Sequence, residues 1–153
     1  MILDKFDRQL LRVLQAEGRM SNQDLADRIG LSASPCLRRV RALEETGLIQ
    51  GYQAILDAKQ LGFSLMVLIQ IAMDQHTTER FAHFEQQITA IPEVVECLLM
   101  TGQSADYQLK VVVQDMDAYQ ALLLNQITRI QGVTGVHSSF VLRRVIAHQR
   151  LPV

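Results

Sequence analysis

The stretch Ser32-Ala33-Ser34-Pro35-Cys36-Leu37-Arg38-Arg39-Val40-Arg41-Ala42-Leu43-Glu44-Glu45-Thr46-Gly47 decides how the first third of the chain folds. Ser32 is a helix-capping residue type, Pro35 is tolerated in a first turn whose N–H groups have no internal partner, and Gly47 supplies a stop. At about 100° per residue, Val40 and Leu43 fall within about 40° of Cys36, and the three form an apolar stripe. Ser34, Arg38, Arg41 and Glu45 cluster on the opposite side. A helix with one side anchored in a small core and a polar, cationic side turned outward has the geometry of a helix that lies in a major groove. Arginine suits that task because its planar fork meets guanine or phosphate with two hydrogen bonds. Arg39 lies nearer the core edge and is expected to pair with a carboxylate of its own domain.

Three arginines alone would read as an ordinary solvated face, so the flanking elements carry the decision. Upstream, Ser21 precedes Asn22–Ile29, with Asp24 three residues on and Gly30 behind. This is a short capped helix whose apolar residues are Leu25, Ala26 and Ile29. Gly30-Leu31-Ser32 leaves room only for a tight turn. Further upstream, Asp4 caps a run in which Phe6, Leu10, Val13 and Leu14 recur at helical spacing, with Leu3 ahead as a staple. Downstream, Leu48-Ile49 and Gly51–Leu56 read as short strands around a turn, with Gln50 and Tyr52 as a wing. Together these elements predict a winged helix-turn-helix. Its DNA contacts are expected from Ser34, Arg38 and Arg41, from Ser32, and from Ser21 and Asn22, where the free N–H groups of a helix start suit a phosphate.

The chain has 153 residues and 17.3 kDa, 48% hydrophobic and 20% charged. That composition excludes disorder as the main state and is enough for a core without disulfides. The net charge of −1 excludes indiscriminate adhesion to nucleic acid but not one focused basic surface. Residues 1–53 hold eight Lys/Arg against seven Asp/Glu, a net of +1, and the remainder hold seven against nine, a net of −2. The longest apolar stretch, Leu61 to Met73, is broken by Ser64 and Gln70 and falls short of the ~20 residues a membrane-spanning helix needs. The start has no signal-peptide layout, and Cys36 and Cys97 have no metal or redox spacing, so a reduced cytoplasmic protein is expected.

The second half alternates strand and helix. Thr89-Ala90-Ile91-Pro92-Glu93-Val94 parallels Thr128-Arg129-Ile130-Gln131-Gly132-Val133 at an offset of 39 residues. The apolar strand Ser64–Met73 likewise falls opposite Gln103–Val112. Two strand–helix–strand units in tandem give βαββαβ, an α+β ferredoxin-like arrangement. In the first strand Phe63, Leu65, Val67, Ile69 and Ile71 share one face, yet Met66, Leu68 and Ala72 on the other are apolar too. A second copy packed sheet against sheet would cover that face, which predicts dimerisation through residues 64–142.

Catalytic chemistry finds little footing. His76, His83, His137 and His148 have no mutual metal-ligand spacing, no Ser-His-Asp or Cys-His set can be placed, and no glycine-rich phosphate loop is present. No catalytic residue, metal or cofactor is expected. Cys36 reads as a small core hydrophobe.

With these residues in view, the chain resembles the Lrp/AsnC family, the feast/famine transcriptional regulators. The resemblance rests on Leu3-Asp4, Asp7-Arg8, Leu11, Gly18-Arg19, Ser21-Asn22, Leu25-Ala26, Gly30-Leu31-Ser32, Pro35-Cys36, Arg39-Val40, Leu43-Glu44 and Gly47–Tyr52. It continues more loosely through Thr101-Gly102, Asp106-Tyr107, Asp115-Met116 and Gly132-Val133. It implies a winged helix-turn-helix (1–53), a linker (54–63) and a ferredoxin-like, ACT-like sensing and oligomerisation domain (64–153). It also implies double-stranded DNA as a partner, a small amino-acid effector, no membrane, and homodimers that assemble further into tetramers or octamers. The effector region that the resemblance implies lies between dimers, near the loop Thr101, Gly102, Gln103, Ser104 and Asp106. Leu99 and Met100 before it, and Ser139, Phe140 and Val141 on the last strand, would line the same pocket. Members commonly show Gly-x-x-Asp in this loop, whereas here three residues separate Gly102 from Asp106. Two other readings fit the architecture. One is an enzyme that decarboxylates a tetrapyrrole such as sirohaem, which wants positioned His and Arg and no basic recognition face. The other is a nucleoid-organising protein without a shared target sequence.

Overall fold

The computed structural model describes residues 2–102, 104–146 and 150–153. The chain forms two compact units, Met1–Ile55 with Ile146–Val153, and Leu56–Val145. Among the described residues, no helix is long and apolar enough to cross a membrane.

The first unit holds three helices, α1 (Lys5–Ala16), α2 (Asn22–Ile29) and α3 (Ala33–Glu45). Asp4 caps α1 in a reciprocal box: the Asp7 N–H donates to Asp4 Oδ1 at 2.9 Å, and the Asp4 N–H donates to Asp7 Oδ2 at 3.1 Å. Ser21 caps α2 by accepting from the Asp24 N–H at 3.1 Å, and Gly30 ends it in the left-handed region at φ 74°. Leu10, Leu11, Leu25, Ala26, Ile29, Cys36 and Leu43 form the core, each from the apolar stripe of its helix.

Two expectations for this unit need correction. The short strands at 48–56 do not form, because that segment pairs with no other strand among the described residues. Instead Gly47 turns the chain at φ 74°, the Ile49 N–H bonds back to the Leu43 carbonyl at 3.0 Å, and Ile49 packs against the core. A two-stranded ribbon this short is not stable alone, so the segment follows the helix end instead. The second correction concerns the domain expected at 64–153. Its last residues belong to the first unit, where Leu151 and Val153 join Leu11, Leu14, Leu48 and Ile49 around one groove. Gln15 grips the Leu151 backbone with both ends of its amide: Nε2 donates to the carbonyl at 3.2 Å, and Oε1 accepts the N–H at 2.6 Å. Arg12 Nε donates to the Val153 carbonyl at 2.5 Å.

The second unit is the expected βαββαβ. It runs β1 (Leu65–Met73), α4 (Thr78–Thr89), β2 (Val94–Leu99), β3 (Tyr107–Val113), α5 (Met116–Asn125) with a closing 3-10 turn (Ile127–Arg129), and β4 (Val133–Phe140). The antiparallel sheet has the order β2-β3-β1-β4. β2 and β4 begin at Val94 and Val133, in keeping with the repeat in the sequence. Val67, Ile69 and Ile71 of β1 and Tyr107, Leu109 and Val111 of β3 are buried against Phe84, Ile88, Tyr119 and Leu122 of the helices. The alternate residues Met66, Leu68, Ala72 and Val112 stand outside that core and are only half-buried. On the same side the cross-strand pair Glu96–Lys110 closes to 3.2 Å.

Two outcomes follow from this packing. At Gly132 (φ 99°) an added Cβ would lie 2.5 Å from Arg80 Cδ and 3.0 Å from Asp74 Oδ1. Gly132→Ala is expected to cost about 1–3 kcal/mol in urea unfolding, from overpacking and the positive φ together. Burial raises both thiols, and with Glu85 nearby Cys97 is pushed up to about 11. Both cysteines should therefore stay unreactive towards a disulfide reagent at pH 7.5 until the protein is unfolded.

Candidate nucleic-acid interface and effector loop

The candidate interface is the outer face of α3. Cys36 and Leu43 are buried, so the helix cannot turn about its axis, and Ser34, Leu37, Arg38, Arg41 and Glu45 face outward. Arg39 does what its position predicted. Its Nη1 donates to Asp4 Oδ2 at 2.7 Å and to Asp7 Oδ1 at 2.8 Å, and its guanidinium lies 5.5 Å from the centroid of the Phe6 ring. By contrast, neither Arg38 nor Arg41 makes an ion pair among the described residues. Ser32, the residue before α3, makes no side-chain cap bond, so its hydroxyl is uncommitted at a helix N-terminus.

At Ser21 and Asn22, where the free N–H groups of the helix start are expected to meet a phosphate, the side chains have tasks of their own. The Ser21 hydroxyl caps α2 and donates to Asp24 Oδ2 at 2.5 Å. Asn22 Nδ2 donates to the Ala33 carbonyl at 2.8 Å, pinning the start of α2 to the start of α3. What remains for an anion there is the backbone of the first turn. Tyr52, expected in a wing, donates its hydroxyl to Glu44 Oε1 at 2.9 Å, and partial burial with the Glu44 charge pushes it up to about 12. Pattern reading missed Leu37. At about 100° from Cys36 on the helical wheel it lies off the apolar stripe, which was the available signal.

The loop expected to bind an effector lies in the second unit, between β2 and β3. Thr101, Gly102 and Ser104 are exposed, Leu99 is exposed at the end of β2, and Met100 is half-buried. Gln103 lies outside the described residues, as does His148. Gly102 adopts φ 137°. Asp106, expected in the effector loop, is engaged by its own chain. Its Oδ2 accepts the Met73 N–H at 2.7 Å, and its Oδ1 lies 2.8 Å from His76 Nε2. Its backbone N–H bonds to the Ile71 carbonyl, and its carbonyl accepts from the Met100 N–H, both at 2.8 Å. Asp106 therefore anchors the mouth of the loop to the end of β1.

Ser139, Phe140 and Val141 do not join this loop within one chain. Tyr107 pairs with Ile71, whereas Phe140 pairs with Val67, four residues earlier on β1, or about 13 Å along the strand. Phe140 instead stacks edge-on against Tyr119 at 5.2 Å, and the Val141 N–H bonds to the Met66 carbonyl at 2.9 Å. Antiparallel pairing carries the end of β4 away from the loop, so within one chain these residues do not line it. Among the described residues, no group of three His, Cys, Asp or Glu gathers to hold a metal.

Two family models match the chain: a winged helix-turn-helix DNA-binding model over residues 3–50 and the Lrp/AsnC ligand-binding domain over residues 66–151. The chain belongs to the Lrp/AsnC family. It is 45% identical to the Bkd operon transcriptional regulator of Pseudomonas aeruginosa, over 99% of this chain and 98% of the relative. It is 40% identical to the leucine-responsive regulatory protein of Escherichia coli K12, over 99% of this chain and 92% of the relative. A transcriptional regulator of Neisseria meningitidis, solved in complex with L-methionine, superposes with a TM-score of 0.94 at 34% identity, covering 99% of this chain and 97% of that one. This Lrp/AsnC protein is accordingly a DNA-binding transcriptional regulator with a ligand-binding domain.

The Arg39 clamp has a measurable signature. The Asp7 N–H, aided by the Arg39 guanidinium, holds the Asp4 carboxyl below the usual range. That contribution is complete above the unfolded carboxylate value of about 3.9 and is lost as pH falls through the lower folded value. Arg39→Ala should lower the melting temperature at pH 7 by a few degrees, and the gap from wild type should narrow as the pH falls below the unfolded carboxylate value. Arg38→Ala should leave the melting curve in place.

Proposed function

We propose that the protein represses or activates its targets by laying α3 into the major groove of a specific operator, as a dimer whose DNA occupancy responds to an amino acid. Arg38 and Arg41 are the principal contacts, with Ser34 beside them and Ser32 at the helix start. The observation that carries this reading is the contrast along α3: Arg39 is doubly paired, while Arg38 and Arg41 are exposed and without carboxylate partners among the described residues. Ser21 and Asn22 contribute through the backbone of the first turn of α2. A protein that acts on chromosomal DNA works in the cytoplasm.

Two further features support an oligomeric sensor. Met66, Leu68, Ala72 and Val112 lie on the sheet face turned away from the helices, and a second copy would cover them. The names of relatives, leucine-responsive in one case and bound to L-methionine in another, support an amino-acid effector. It would sit on the loop at Thr101, Gly102, Ser104 and the neighbouring Leu99 and Met100. Backbone N–H groups would take its carboxylate, and Asp106 would supply the scaffold. Ser139, Phe140 and Val141 would reach such a ligand only from a neighbouring copy. A transcriptional role, rather than tetrapyrrole decarboxylation or general DNA packing, is favoured by the intact basic face of α3 and by relatives named as regulators.

In vitro selection of bound duplexes should return a two-fold symmetric site with half-sites about one helical turn apart. Arg38→Ala and Arg41→Ala should each weaken binding to that site at least about tenfold without unfolding the protein, and the double variant should flatten the salt dependence. A double variant with full affinity would refute the assignment. In a thermal-shift screen of the twenty amino acids, an effector at 100 times its Kd should add ~2.7 kcal/mol to the folded state. No response to any of them would refute the amino-acid reading while leaving DNA binding intact.

A further inference from the structure

We infer that Leu37 is a base-reading residue that contacts the C5-methyl group of a thymine, one in each half-site. The inference deepens the groove-facing reading of α3 and rests on it.

Leu37 is 38% exposed and has no place in the core cluster of the first unit, although its neighbours Cys36 and Val40 pack there. A single exposed leucine is ordinary on a protein surface. The location of this one is not ordinary. It lies one turn after Ser34, beside Arg38 and one turn before Arg41, and together with Ala42 and Glu45 these residues outline a shallow depression on the outer face of α3. It also belongs to the first half of the helix, the part that reaches base edges in helix-turn-helix complexes.

Leucine has neither a donor nor an acceptor, so it cannot read the hydrogen-bonding edges of guanine, cytosine or adenine. Placed against them it would strip water from polar groups and return nothing. The one apolar feature of the major-groove edge is the thymine methyl group. The flanking arginines fix where that methyl must be. Arg38 is the next residue and Arg41 lies one turn on, a rise of about 6 Å along α3, less than two base-pair steps. The thymine therefore falls within two base pairs of the position that Arg38 or Arg41 meets.

The test uses full-length protein and the duplex recovered by in vitro selection, with each thymine replaced in turn by deoxyuridine. That replacement removes the methyl group and leaves the pairing edge unchanged. For the wild type, one thymine per half-site should show a loss of about fourfold, the value of one buried methyl-sized group. In Leu37→Ala that loss should vanish, while Leu37→Met, which keeps an apolar side chain of similar reach, should retain it. Alanine suits an exposed helical position, and an unchanged melting curve will confirm that the variant folds. Identical deoxyuridine profiles for wild type and Leu37→Ala, or a site with no methyl-sensitive thymine near the arginine-dependent positions, would overturn the inference. Binding without any shared sequence would overturn the specific-operator reading itself, and is recognisable because the wild type would then bind every duplex alike.

Discussion

The rotation of α3 about its own axis is the constraint on which the DNA-binding half depends. A turn of one residue, about 100°, would bring Arg38 towards the core and expose Cys36. Two devices prevent it. Cys36 and Leu43 are sealed in the apolar core on one side. At its edge, Arg39 reaches across to both Asp4 and Asp7, the two residues that also form the capping box of α1. One guanidinium thus joins the start of the first helix to the flank of the third. The same box that satisfies free backbone N–H groups presents two carboxylates at the spacing a planar fork can bridge. Arg38 and Arg41 point outward because their neighbour is held.

Asp106 plays a comparable role in the other unit. A carboxylate at the end of a variable loop is easily taken for a ligand group. Here its oxygens close the sheet end instead, one on the Met73 N–H and the other on His76. Asp106 thus holds the end of the loop to β1 and the residues that follow it, through both oxygens. The exposed residues of the loop among those described are Thr101, Gly102 and Ser104.

Much of this was legible in the sequence. The helices of the first unit were, because Cys36, Val40 and Leu43, or Leu25, Ala26 and Ile29, recur with a period nothing but a buried helix face requires. The sheet was legible through its alternation and its repeat. What could not be read was where side-chain hydrogen bonds go. Asn22 looks identical in a sequence whether its amide meets a phosphate or the Ala33 carbonyl. Register was equally hidden: that Phe140 pairs with Val67 and not with Ile71 follows only once β4 is known to run antiparallel beside β1. The strands expected at 48–56 failed for a simpler reason, since residue preference alone cannot supply the neighbour that a strand needs.

The seating of residues 150–153 against α1 makes the first unit discontinuous: the polypeptide leaves it near residue 55 and comes back some ninety residues later. A fragment ending at the linker would carry the three helices but leave Leu11 and Leu14 facing a vacant furrow. During synthesis the helical core can assemble as soon as it emerges, yet this last seam closes only when the entire sensing unit has been made. The helix-turn-helix unit is thereby finished after the ligand-binding unit.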